Sequence, residues 1–205
     1  MFYPVSIPWW IRKIYPHCIW QMPGDSRKVY LSFDDGPHPV ATPYVLDQLK
    51  AYGAKATFFC IGKNVAAHGG IYQRILNEGH RVGNHTYSHT NGWETSDGDY
   101  MNDIGAAANL IDSDLFRPPY GRIRFSQLRK IREKLHMKPV MWSVLSGDFD
   151  PGISNEKCAD NVFRYMKPGS VVVFHDSQKA HDKVKYVLPL VLEAIRERGW
   201  VTEVL

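Results

Sequence analysis

Two adjacent carboxylates, Asp34 and Asp35, and two imidazoles four residues apart, His85 and His89, are the side chains here best suited to share a cation. Neighbouring anions repel unless a cation stands beside them. Gly36-Pro37 follows directly, so the chain turns where the carboxylates end and both can approach one pocket. On a helical turn, positions i and i+4 share a face, and both rings could then reach one ion. Neutral imidazole suits Zn²⁺, Co²⁺, Ni²⁺ or Fe²⁺, and a carboxylate completes a three-ligand set that leaves positions open to water. Water in such a site is acidified to a pKa of about 7, within reach of a nearby carboxylate base. Arg117, Asp148, His175 and Asp176 are further polar residues, each coming soon after a short apolar run.

The elements that must position these groups follow from periodicity. Short apolar runs at 29–33, 56–61, 81–84, 115–116, 139–145 and 171–174 predict strands, with 201–205 closing the chain. Helices are expected at 42–52, 71–78, 125–135, 155–165 and 186–198, and Ser96 with Asp99 predicts a capping box for a helix through residue 111. Strand and helix alternate without repeat or linker, which is the pattern of a parallel α/β domain. About seven strands in this length fit a distorted or incomplete (β/α) barrel better than an open doubly wound sheet. Asp34 and Asp35, His85 and His89, Arg117, Asp148, and His175 with Asp176 each follow a strand. That is the end of a barrel where active sites are built.

The 205 residues suit one domain, and a net charge of only +4 without a Lys/Arg cluster argues against nucleic acid as a partner. No Gly-rich phosphate loop is present, which argues against a nucleotide. Cys18, Cys60 and Cys158 are scattered and odd in number, so they read as buried small hydrophobes, weakly favouring a reduced compartment. Residues 1–28 form a Trp-rich segment ahead of a domain at 29–205. Its prolines interrupt any signal-peptide apolar core or membrane-spanning run. This predicts a cytoplasmic or membrane-peripheral protein. The segment either wraps the base of the core or rests its tryptophans and Arg12-Lys13 on a membrane interface, and the prolines favour wrapping.

Ser-Phe-Asp-Asp-Gly-Pro, His-Thr-Tyr-Ser-His, Arg-Pro-Pro-Tyr-Gly, Gly-Asp-Phe and Phe-His-Asp occur in the order of the motifs of polysaccharide deacetylases. From about residue 29 to the end, the chain resembles this family, the NodB-like domain of carbohydrate esterase family 4. The resemblance implies a metal-dependent hydrolase, with zinc as the expected ion, that removes acetyl groups from an N-acetylglucosamine-type polysaccharide or oligosaccharide. It implies Asp34 as general base, and Asp35, His85 and His89 as metal ligands. Arg117 would hold Asp34, the Tyr120 backbone N–H would face the oxyanion, and His175 would be the general acid with Asp148 as its partner. From the residues alone, Asp150 and Asp176 are equally able to partner His175.

Leu145-Ser146-Gly147-Asp148-Phe149 departs from the usual Asp-x-x-Asp-Trp, and Val173 stands where the family has Leu. Pro118, Tyr120, Phe149 and Val173 are the expected substrate contacts, with Trp93 a candidate for stacking on a sugar face. His38, His68, His80, His136 and His181 match no motif and read as solvated or structural. The alternatives are an O-acetyl esterase acting on a glycan such as acetylxylan, and a non-catalytic glycan-binding barrel that keeps the metal for structure. A serine hydrolase is set aside because no G-x-S-x-G elbow occurs.

Overall fold

Val29 to Asp34 are buried on both faces, as expected of a strand inside a parallel sheet rather than at its edge. In the computed structural model, which describes residues 4–24 and 27–205, this strand is the middle of the fold. The elements in chain order are α1 (Trp9–Ile14), β1 (Lys28–Asp34), α2 (Ala41–Ala51), β2 (Ala56–Cys60), α3 (Gly62–Ala67), α4 (Gly69–Asn77), β3 (Arg81–Asn84) and α5 (Asp97–Ala108). They continue with β4 (Leu115–Phe116), α6 (Phe125–Lys134), β5 (Lys138–Pro139), β6 (Val144–Leu145), α7 (Asn155–Tyr165), β7 (Val171–His175), α8 (His181–Glu197) and β8 (Val201–Thr202). Seven parallel strands run in the order β5-β4-β3-β2-β1-β7-β6, and β8 adds to the start of β1. The sheet curls into an incomplete barrel.

Alternation along β1 divides the interior from the outer layer. Val29, Leu31 and Phe33 pack outward into the main apolar core, with Val45, Leu46 and Leu49 of α2 and Leu188, Val191 and Leu192 of α8. Tyr30, Ser32 and Asp34 face the other way. Tyr30 joins Phe59, Leu115, Val140, Val171 and Leu205 in a plug at the base. Ser32 and Asp34 meet the Arg117 guanidinium above it.

Three differences from the sequence reading have identifiable physical causes. Residues 139–145 form two short strands rather than one. The Val140 N–H donates to Phe116 O and the Ser143 N–H to Val171 O, so this apolar run crosses from one sheet edge to the other. α3 lies where no helix was expected, because its six residues, GKNVAA, carry too little apolar periodicity to announce one. α8 begins at His181, ahead of the apolar repeat that suggested residue 186.

The N-terminal segment lies along both sheet edges. The Leu145 N–H donates to Val5 O, Ile19 bridges Val140, and Gln21 bridges Ser170. Ile7, Cys18 and Trp20 are buried in a second apolar cluster with Phe116, Ile123 and Met141, whereas Trp9 and Trp10 are exposed. Residues 1–3 and 25–26 of this segment lie outside the described residues. No described helix is long and apolar enough to cross a membrane. Cys18, Cys60 and Cys158 are free and buried, as the sequence suggested.

Candidate active site

The strand register places the chemistry. Asp34 ends β1 opposite His175 on β7, and Asn84, just before His85, pairs with Phe116, just before Arg117. Backbone conformation then aims the side chains. Asp35 has φ 78°, in the left-handed region, which turns the chain immediately after Asp34. Asp176 holds the resulting loop: its buried carboxylate accepts from the Gly36 N–H at 3.1 Å and the Thr42 hydroxyl at 2.5 Å. A Cβ at Gly36 would collide with that carboxylate, so glycine is required there. Asp176 is therefore engaged away from His175, and burial raises its pKa to about 8 against the Thr42 bond.

His85 and His89 meet, but not on a helical turn. Residues 85–90 form a loop in which Thr86 and His89 both take positive φ, 63° and 58°. The i, i+4 geometry assumed from spacing is replaced by side-chain anchors. Asn84 Oδ1 accepts from the Thr86 N–H and its amide donates to Ile104 O. Asp103 on α5 accepts from the Ser88 N–H and the Thr90 hydroxyl. The rings end 5.1 Å apart.

Asp35, His85 and His89 each offer an atom within 4.8 Å of the others'. Asp35 Oδ1 lies 3.1 Å from His89 Nε2 and 3.7 Å from His85 Nε2. It is buried and makes no hydrogen bond. His85 Nδ1 lies 2.7 Å from Arg117 O, and His89 Nδ1 lies 3.1 Å from the Tyr120 hydroxyl. Carrying the ring protons on those Nδ1 atoms leaves both Nε2 lone pairs facing Asp35. A buried orphan carboxylate oxygen facing two imidazole nitrogens fits a divalent ion of the zinc type. Burial lowers the His85 pKa to about 4, so its ring is neutral at pH 7.

Arg117 is fully buried and spans the interior. Nη1 donates to Asp34 Oδ1 at 2.6 Å and to Ser32 Oγ at 2.9 Å, Nη2 to Met141 O and Nε to Val140 O. Its guanidinium lies 3.9 Å from the centroid of the Phe59 ring. On the other flank, Asp148 binds His175 twice, Oδ1 to Nδ1 at 2.8 Å and Oδ2 to the backbone N–H at 2.7 Å. Burial alone would lower the His175 pKa, but Asp148 first, with Asp35 and Asp34, raises it to about 10.

The remaining predicted residues divide by exposure. Tyr120, at φ 60°, and Trp93 are exposed at the rim, and Phe149 packs edge-on against His175. Val173 lies below His175 on the same face of β7 at 1% exposure, and Pro118 is buried with its carbonyl accepting from Gly121 N–H. Sequence reasoning passed over Ser32, Asn84, Asp103 and the loop-holding role of Asp176. The Tyr120 side chain, of which only the backbone was invoked, reaches His89. Ser32, which opens the Ser-Phe-Asp-Asp-Gly-Pro motif, and Asp176, next to His175 in the last motif, carried a signal.

Residues 21–140 match the family model for polysaccharide deacetylase. A peptidoglycan-N-acetylglucosamine deacetylase of Bacillus cereus is 39% identical over 165 residues, covering 78% of this chain and 59% of that protein. The chain thus matches somewhat over half the length of that relative. A chitooligosaccharide deacetylase of Azorhizobium caulinodans is 33% identical over 160 residues, covering 74% of this chain and 75% of that protein. The crystal structure of the Bc1960 peptidoglycan N-acetylglucosamine deacetylase, in complex with 4-naphthalen-1-yl-N-oxidanyl-benzamide, is similar at TM-score 0.83 and 32% identity, covering 97% of this chain and 95% of that one. With its five motifs gathered at one end of the barrel and the family model spanning more than half its length, this chain belongs to the polysaccharide deacetylase family.

Proposed function

We propose that this chain is a metal-dependent hydrolase that removes acetyl groups from N-acetylglucosamine-type glycans. The observation carrying the reading is the pairing of Asp34 with His175 across adjacent strands, each fixed by its own counter-ion, beside a cluster suited to a cation. Asp35, His85 and His89 would hold the ion. A divalent ion there supplies Lewis acidity, making water a better nucleophile and the acetyl carbonyl a better electrophile.

The chain's own residues supply the rest. Asp34, oriented by Arg117, is placed to take the proton of the attacking water. The Tyr120 backbone N–H is the candidate oxyanion donor, a contribution worth about 3 kcal/mol at such sites. An amide leaves only when its nitrogen is protonated, and His175, with a pKa raised to about 10, carries a proton at neutral pH. Asp148 keeps that imidazolium in place through Nδ1, leaving Nε2 for the leaving amine.

The direct test is acetate release from chito-oligosaccharides and from acetylated xylan by chelated and metal-reloaded protein. Release from the N-acetylated substrate, lost on chelation and restored by Zn²⁺ or Co²⁺, is expected. Asp34→Asn should lower kcat by about a hundredfold or more. His175→Ala should slow amide cleavage far more than ester cleavage, since an alkoxide leaves more readily than an amide nitrogen. Absence of acetate from every N- and O-acetylated glycan would overturn the proposal.

A further inference from the structure

The first helix holds its apolar side out to solvent, although the chain is anchored before and after it. Ile7 is buried ahead of α1, Cys18 and Trp20 are buried behind it, and Ser6 bridges Val144. Between these anchors no residue of α1 is buried, and Trp9, Trp10 and Ile14 are 68%, 52% and 47% exposed. Trp9, Trp10, Lys13 and Ile14 share one side of the helix, while Ile11 on the other side packs against the second apolar cluster. The Lys13 ammonium lies 4.7 Å from the centroid of the Trp9 ring. α6 runs alongside. Tyr15 stacks on the exposed Phe125 at 4.7 Å, and Phe125 leads a row that continues with Arg129 and Arg132 at helical spacing. Burial raises the Cys18 pKa to about 12 and the nearby Arg132 charge opposes it, so this row borders the segment that carries α1.

The charges beside these rings are nearly all of one sign. Residues 4–24 contain no Asp or Glu, and Glu133 is the only acid of α6. Arg124 and Lys130 are paired with Asp97, but the exposed Lys13, Arg129, Arg132 and Lys134 have no acidic partner among the described residues. A second copy docked through the same face would set these cations against themselves. The complement is instead an anionic surface with an apolar layer beneath it. Indole rings and long cationic side chains settle where lipid headgroups meet acyl chains, with the cation at the phosphates. We propose that Trp9, Trp10 and Ile14, with Lys13, Arg129 and Arg132, dock this chain on the headgroup region of an anionic lipid bilayer. The mouth of the active site adjoins that face, because Ile123 O accepts from the Tyr15 hydroxyl at 3.4 Å and from Trp93 Nε1–H at 3.2 Å. Docking therefore brings the rim of the site beside the lipid surface.

The test is sedimentation of the intact protein with vesicles of equal parts phosphatidylcholine and phosphatidylglycerol, against vesicles of phosphatidylcholine alone. Much tighter binding to the anionic vesicles, weakened by high salt and accompanied by a blue shift of tryptophan emission, is expected. The double variant Arg129→Gln, Arg132→Gln should bind about thirtyfold more weakly, the effect of two cations at a charged membrane surface. Trp9→Ala, Trp10→Ala should weaken binding about tenfold or more. Lys185→Gln, Arg198→Gln removes the same charge at α8, which packs against α2 and α7, and should leave binding within about threefold. Every substituted side chain is exposed, and urea midpoints measured alongside distinguish a lost contact from a lost fold. No binding, equal binding to both vesicle types, equal losses from the two charge variants, or no loss from the tryptophan variant would overturn the proposal. So would a dimer in sedimentation velocity that the tryptophan variant dissociates, which would give the face to a second copy. Vesicle binding is read without turnover, so its outcome is separate from that of the acetate assay.

Discussion

His175 and Asp148 sit 2.8 Å apart with the carboxylate wholly buried and the imidazole nearly so. A carboxylate that close favours the charged ring more strongly than burial opposes it, which is why the His175 pKa is raised to about 10. A group required in its protonated form loses activity as pH rises through its pKa. Asp148→Asn removes the counter-charge, so the His175 pKa falls toward its ordinary 6.5 and the loss comes at lower pH. The expected outcome is an alkaline limb of the kcat/KM profile displaced to lower pH by about one unit or more. An unmoved limb would show that His175 is not the acid. The same pair marks what a sequence can disclose at this scale. Asp148, Asp150 and Asp176 were equivalent partners on paper, and the choice is made by direction. Asp176 follows His175 in the chain, so its side chain points to the opposite face of the strand end and is taken by Gly36 and Thr42.

At the scale of elements, long strands and amphipathic helices were legible because periodicity is their cause: β1, β2, α2 and α7 fall within a residue or two of expectation. What was not legible is where long-range partners decide the local form. Residues 139–145 read as one strand, yet their hydrogen bonds belong to two sheet edges. The His85–His89 loop is shaped by Asn84 and Asp103, whose contacts lie some twenty residues from their own positions or in another element. The N-terminal segment is a third case. Its bridges run to Val140, Val144 and Ser170, so its tryptophans divide into buried and exposed by tertiary contact alone. Trp20 is buried among Phe116, Ile123 and Met141, with Nε1 donating to Tyr15 O at 3.0 Å. Trp20→Ala should cost about 3 kcal/mol in urea unfolding, and Trp9→Ala, at a 68% exposed position, should stay within about 0.5 kcal/mol. Equal effects would mean that the segment does not hold the sheet edges.

Taken as a whole, the molecule stacks three layers up the barrel interior. An apolar plug around Tyr30 and Phe59 lies at the base, the Arg117 guanidinium with Ser32 comes above it, and the carboxylates and imidazoles lie at the open end. The top layer is held apart at its ligand atoms: Asp35 comes from the turn after β1, and His85 and His89 come from the loop after β3. An ion bound by all three ties those segments together in the folded state and has no such site in the unfolded chain. It must therefore stabilise the fold. At a free concentration about a hundredfold above Kd the gain is about 2.7 kcal/mol, which for a chain of this size raises Tm by about 5–10 °C. Adding Zn²⁺ or Co²⁺ to chelated protein should produce that rise in a thermal unfolding experiment. Asp35→Asn, which removes a ligand, should abolish most of it. Asp34→Asn, which leaves the three-residue cluster whole, should keep most of it, although Arg117 loses its counter-charge and the starting Tm falls. If Asp34→Asn erased the shift as completely as Asp35→Asn, the ion would be held by a different set of groups, and the division of labour between the two adjacent carboxylates would be wrong.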